Sequence, residues 1–193
     1  MKNSVTLTWT IALVMALSVG CSNSRKPEDS KEIAEDKNEA VIEDRKDEKD
    51  AQFLVDAAEI NLEEISLGQL AQAKGSMKDV QELGKMMETD HTKTLSDLKA
   101  LADKKSIAIP TTITEKGQKK YNDMNEKSPK DFDKDYCEAM VKGHKDAIDK
   151  FEKAATDCKD ADIRAWASSV LPALHTHLEH ATACEEKVKK TKS

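Results

Sequence analysis

Aromatic side chains are scarce in this sequence, with two Trp, two Tyr and three Phe in 193 residues, and proline occurs only four times. With charge abundant, that composition points to an α-helical protein, and the length suits one domain plus accessories. A basic surface is also missing. The net charge is −6 and the acids and bases are interspersed, which argues against the Lys/Arg-lined faces that displace counterions from nucleic acid. The four cysteines, Cys21, Cys137, Cys158 and Cys184, lack any Cys-x-x-Cys spacing, so neither a thiolate zinc site nor a thioredoxin-like centre is supported. No Ser-His-Asp order and no phosphate loop is present, and the expectation is a protein without enzymatic activity.

The N-terminus carries Lys2, an apolar run from Trp9 to Leu17, and small residues before Cys21. Residues 1–20 read as an export signal, since the run is too short to span a bilayer comfortably. The string LSVGC resembles a bacterial lipoprotein signal, which makes Cys21 the acylated first residue of the mature chain. It departs from the usual pattern in having Ser18 three places before the cysteine, with Leu17 one further back; ordinary secretion with a free Cys21 is the alternative. Several acyl chains anchor stably where one does not. Ser22 resembles the sorting pattern for the outer membrane of a Gram-negative cell, facing the periplasm. From Ser22 to Asp50 apolar residues nearly vanish, leaving Ile33, Val41 and Ile42 among dense charge, so residues 21–50 read as a disordered tether.

The folded domain is expected over residues 51–190. Phe53, Ala57, Ile60, Leu67 and Ala71 trace one helical stripe whose inward position between Ile60 and Leu67 is Glu64. Gly75 and Ser76 mark a stop and an N-cap. A second helix then runs through Val80, Leu83, Met87, His91, Leu98 and Leu101, and fails near Ser106, where a β-branched stretch ends in Pro110. A crossover of about two dozen residues, with a short helix from Thr114 to about Lys127, is long enough to run the height of a bundle. Ser128 and Pro129 open a third helix with Phe132, Tyr136 or Cys137, Met140, His144, Ala147 or Ile148, and Phe151 inward. Asp160 caps a fourth, with Ile163, Trp166, Val170, Leu174, His177, Ala181, Cys184 and Val188 inward and a bend expected at Pro172.

Four segments in order, QFLVDAAEINLEEISLG, MMETDHTKTLSDLKALA, DFDKDYCEAMVKGHKDAIDKF and RAWASSVLPALHTHLEHA, resemble the bacterial domain-of-unknown-function family 4142, over about Ala51 to Lys187. The resemblance implies an exported, ferritin-like four-helix bundle with a long crossover between helices 2 and 3. Its recurrent polar positions fall on Glu64, Asp90, His91, His144 and His177. It implies no activity, and the ferritin-like label is an analogy of fold alone.

Counting outward from the two turns places Glu64 level with His91 and His144 level with His177, all near mid-helix. Three imidazoles and a carboxylate there suit Zn(II), or Fe(II) or Mn(II) with added waters, and Met87 and Met140, each four residues before an inward histidine, suit Cu(I). The competing reading is a metal-free polar network within a structural or interaction module of the envelope. Asp90 is either a partner of a ligand or a surface charge, and His175 and His180 fall at the seam's edge or outside. A di-iron oxidase needs two Glu-x-x-His steps, and only Glu88 with His91 provides one; His175 and Glu179 are spaced wrongly. Cys137 and Cys184 lie at similar distances from the turn between helices 3 and 4, so a disulfide can join them with Cys158 left free.

Overall fold

Six α-helices are present among the residues described, 28–43 and 45–191, in this computed structural model. They are α1 (Ser30–Glu39), α2 (Arg45–Lys74), α3 (Lys78–Lys105), α4 (Glu115–Asn125), α5 (Pro129–Asp157) and α6 (Ala161–Lys190). Residues 1–20, read above as an export signal, and Cys21 lie outside the described residues. None of these helices is long and apolar enough to cross a membrane. α2, α3, α5 and α6 are the four long helices that the apolar seams predict, and α4 is the short helix of the crossover.

Most helix ends follow from local chemistry. Thr114, Ser128 and Asp160 cap α4, α5 and α6 by accepting from Gly117, Asp131 and Ile163 backbone N–H groups at 3.2, 3.3 and 3.2 Å. Pro129 occupies the first turn of α5, where its missing N–H costs nothing. Ser106 ends α3 in the left-handed region at φ 56°, so that Ile107 N–H reaches the Ala102 carbonyl at 3.0 Å. α6 continues through Pro172, whose side chain is exposed.

The two hairpin turns are tied by buried carboxylates from distant helices. Ser76 is not the N-cap of α3; Met77 holds that position without a side-chain cap. Instead Ser76 N–H, Ser76 Oγ and Met77 N–H donate to Asp133 of α5 at 2.9, 2.5 and 3.0 Å. At the opposite end Asp50 of α2 accepts from the Lys159 and Asp160 N–H groups at 3.0 and 2.7 Å. α5 therefore starts beside the α2–α3 turn and ends beside the start of α2. The crossover must climb the full height of the bundle, and α4 packs against α2 on the way. α2 and α6 run one way, α3 and α5 the other, so all four neighbouring pairs (α2/α3, α5/α6, α3/α6 and α2/α5) are antiparallel, with opposed helix dipoles.

Among the described residues the folded part begins well upstream of residue 51, which corrects the reading of a disordered tether over Ser30–Glu39 and from Arg45 onward, while residues 21–27 lie outside the described residues. α2 starts at Arg45, and α1 lies on α2 with Ala34 and Asn38 buried. Charge and hydrogen bonding hold it. Lys31 Nζ reaches Asp56 at 2.8 Å and Glu59 at 2.7 Å. The Asn38 amide donates to the Ala108 carbonyl and accepts from the Ala108 N–H, both at 2.8 Å, fastening α1 to the crossover. An element docked this way leaves almost no apolar signal in the sequence.

The interior is divided. Around Phe53, Phe151 and Leu174 one apolar cluster fills the end nearer the α5–α6 turn. A second, around Leu67, Met87, Phe132 and Met140, fills the other end. Between them lie five buried polar side chains: Asn61, Glu64, His91, His144 and His177.

Candidate metal centre

Three of the five histidines stand where the 3.6-residue period carries them inward, in place of an apolar side chain. His91 comes from α3, His144 from α5 and His177 from α6, with exposures of 3, 1 and 3 %. Their ring centroids are separated by 5.7, 5.2 and 5.3 Å.

One nitrogen of each ring is fixed by a partner whose chemistry decides the tautomer. His144 Nδ1 lies 2.9 Å from the Met140 carbonyl, which can only accept, so His144 donates from Nδ1. His177 Nε2 lies 2.9 Å from Asp90 Oδ2 and donates to that carboxylate. His91 Nδ1 lies 3.0 Å from Asn61 Oδ1. Asn61 is oriented in turn by its Nδ2, which donates to the Ala57 carbonyl at 2.7 Å, so its oxygen faces His91 and accepts. The second nitrogens, His91 Nε2, His144 Nε2 and His177 Nδ1, are buried without a partner among the described residues. In the neutral rings these three are lone pairs, and the three side chains place their ligand atoms within 4.8 Å of one another.

Electrostatics keeps His91 and His144 from satisfying their second nitrogens with protons. Burial, then the charge that His144 and His177 would carry, holds His91 well below the usual imidazole range. Burial likewise lowers His144 to about 4, against the smaller opposing pull of the Met140 carbonyl. Nor can one water serve all three, since it brings two hydrogens to three acceptors. A buried acceptor left bare costs about 1–3 kcal/mol. A cation at the centre relieves all three at once.

Glu64 does not join this set, although the sequence places it level with His91. Its carboxyl lies against the chain beside His144: a Cβ built on Gly143 would stand 3.4 Å from Glu64 Oε1. Glu64 Oε2 and the Tyr136 hydroxyl are the other buried polar atoms without partners among the described residues. Burial raises the Glu64 carboxyl to about 8, more than the Lys120 charge lowers it. Met87 and Met140 are fully buried in the apolar cluster below the histidines, and Met140 serves His144 through its backbone carbonyl.

The remaining sequence candidates fall elsewhere. Glu88, half of the Glu-x-x-His step, accepts from Gln69 and Gln72 at 2.8 and 2.7 Å, away from the centre. His175, Glu179 and His180 are exposed. Asp90 proves to be the partner of His177. Asn61 is the participant that seam reading passes over: the stripe assigns Ile60 inward, whereas Ile60 is half-buried and Asn61 is 1 % exposed. Cys137, Cys158 and Cys184 are buried free thiols.

Residues 36–184 match the protein family described as Domain of unknown function (DUF4142). No curated protein and no solved structure matches the chain.

Proposed function

Because the chain belongs to the DUF4142 family, whose description assigns no activity, we propose its function from the site itself: it binds one transition-metal ion through His91 Nε2, His144 Nε2 and His177 Nδ1. The observation that carries this reading is the set of three buried, inward-facing nitrogens left bare while each ring's other nitrogen is held by Asn61, Met140 or Asp90. Metal-ligating histidines are characteristically oriented by such outer partners. Three neutral imidazoles suit Zn(II) or copper better than the hard, oxygen-seeking ions, and the thioethers of Met87 and Met140 in the adjoining core favour Cu(I). Fe(II) or Mn(II) would need the Glu64 carboxylate and waters to complete their coordination. With three protein ligands, a fourth position stays open for an exogenous group. The protein is then a metal-binding or metal-buffering bundle, held to the bacterial envelope by a lipid on Cys21. The lipid anchor rests on the LSVGC string, and incorporation of labelled fatty acid that is lost in Cys21→Ala tests it.

The metal reading is tested by titrating Zn(II), Cu(I), Fe(II) and Mn(II) into the tag-free protein while following bound metal and melting temperature. One equivalent is expected to bind and to raise the melting temperature, and His144→Ala and His177→Ala are each expected to abolish both effects. Binding indifferent to these substitutions, or none, would leave the layer as a structural polar network and favour a non-catalytic interaction module.

A further inference from the structure

Cys137 of α5 and Cys184 of α6 occupy facing positions in the helical hairpin, seven residues before His144 and seven after His177. Both are buried, both are free, and both belong to the apolar cluster below the histidine layer. Their side chains are hydrogen-bonded to each other, which raises the Cys137 thiol and lowers that of Cys184. Their access to solvent differs. Cys184 forms part of the wall of a surface cavity of about 250 Å³ between α3 and α6, together with Asp79, Glu82, Leu83, Met86, His180 and Lys187. Cys137 does not line that cavity and sits behind Cys184. The Lys187 ammonium is paired with Asp79, so what marks Cys184 as reactive rather than structural is its opening to solvent and the second thiol in contact with it.

We propose that Cys137 and Cys184 form a redox-active dithiol that is oxidised by disulfide compounds, with Cys184 as the attacking thiol and Cys137 as the resolving one. The Cys184 thiolate attacks a disulfide R–S–S–R in the cavity, forming a mixed disulfide and releasing one R–S⁻. Cys137 then attacks the Cys184 sulfur, giving up its proton and releasing the second R–S⁻. Two protein thiols are oxidised to one bridge and one disulfide is reduced to two thiols, so electrons and protons balance. The bridge joins α5 to α6 toward the open end of their hairpin. Cys158 takes no part, since it lies at the other end of the molecule, hydrogen-bonded to Asp50 and pushed up to about 12 by burial.

The test uses the full-length protein in EDTA, equilibrated over a range of reduced-to-oxidised glutathione ratios, then acid-quenched, alkylated and mapped by mass spectrometry. The wild type is expected to lose two hydrogens and yield a Cys137–Cys184 linked peptide while Cys158 stays alkylatable. Cys137→Ser is expected to accumulate glutathione on Cys184, and Cys184→Ser to acquire none on Cys137. The helix content of both variants is checked by circular dichroism. Should either fail to fold, native wild-type alkylation decides, with Cys184 modified before Cys137. The proposal is overturned by a wild type that stays reduced at every ratio, by a bridge to Cys158 instead, or by Cys137 reacting first.

Discussion

Asn61 does for His91 what Asp90 does for His177: it takes the N–H and turns the lone pair toward the centre of the bundle. Loss of such an outer partner typically costs 10- to 100-fold in metal affinity, and Asn61→Leu is expected to fall in that range by chelator competition. Affinity equal to wild type would show that the ring orientation is set by packing alone. The metal-free stability makes the converse case. His144→Leu removes one of three bare acceptors at similar volume, so in EDTA the variant is expected to melt no lower than the wild type while losing its response to metal. A large drop in EDTA would mean that the layer is already satisfied without an ion. The histidines were legible in the sequence because each interrupts an otherwise apolar seam. Asn61 was hidden by its neighbour Ile60, although Leu54, Ala57, Asn61 and Glu64 keep three- and four-residue steps and are all buried. The failure of Glu64 to join the histidine set was not legible. Counting at a fixed rise gives the level of a residue and not the reach of its side chain.

At the scale of elements, α2 and α3 approach closely because glycines face each other. A Cβ on Gly68 would stand 2.6 Å from the Gly84 carbonyl oxygen, and one on Gly84 would stand 2.7 Å from the Gly68 oxygen. The obstructing atoms are backbone, so the gain in helix propensity cannot win, and Gly84→Ala is expected to destabilise by about 1–3 kcal/mol in urea unfolding. At Gly143, where the nearest atom is 3.4 Å away, alanine meets ordinary contact and is expected to be neutral or stabilising by up to about 1 kcal/mol. Equal effects at both positions would contradict the close-approach account. α1 depends on charge instead. Burial works against the Asp56 and Glu59 carboxylates, but hydrogen bonds from Lys150 and Lys31 to Asp56, and from Lys31 to Glu59, hold them below their ordinary 3.8 and 4.5. Burial also works against the Lys31 ammonium, which the same two carboxylates hold above 10.5. Depressed carboxylates contribute stability above their unfolded values and lose it as pH falls; a raised lysine contributes below 10.5 and loses it as pH rises. The docking of α1 is therefore expected to be full between about pH 5 and 10. Hydrogen exchange at Ser30–Glu39, corrected for intrinsic rates, should show protection at pH 7 that declines progressively as the pH falls below the ordinary carboxylate values of 4.5 and 3.8. Protection unchanged by pH would assign the docking to the Asn38 clamp alone.

At the scale of the whole molecule, the four long helices and the length of the crossover could be read from apolar periodicity, since each helix buries one face, and the caps of α5 and α6 from Ser128 and Asp160. Their mutual arrangement depends on Asp50 and Asp133, whose partners are backbone groups more than fifty residues away, and no local pattern announces such bonds. The resulting topology gives the histidine layer its consequence. His91 belongs to the α2–α3 hairpin, whereas His144 and His177 belong to the α5–α6 hairpin, so an ion held by all three joins the two halves of the bundle across its centre. Only the folded chain assembles the three nitrogens, and a ligand at 100 times its dissociation constant adds about 2.7 kcal/mol to the folded state. For a domain of this size that amounts to a rise of roughly 5–10 °C in melting temperature. Ions bound by surface carboxylates could also raise the melting temperature, so hydrogen exchange distinguishes the two cases. An interior ion is expected to slow exchange around His91 in α3 together with that around His144 and His177, because opening either hairpin away from the other then requires breaking a ligand bond. Protection confined to one hairpin, or retained in His144→Leu, would place the metal outside the bundle interior.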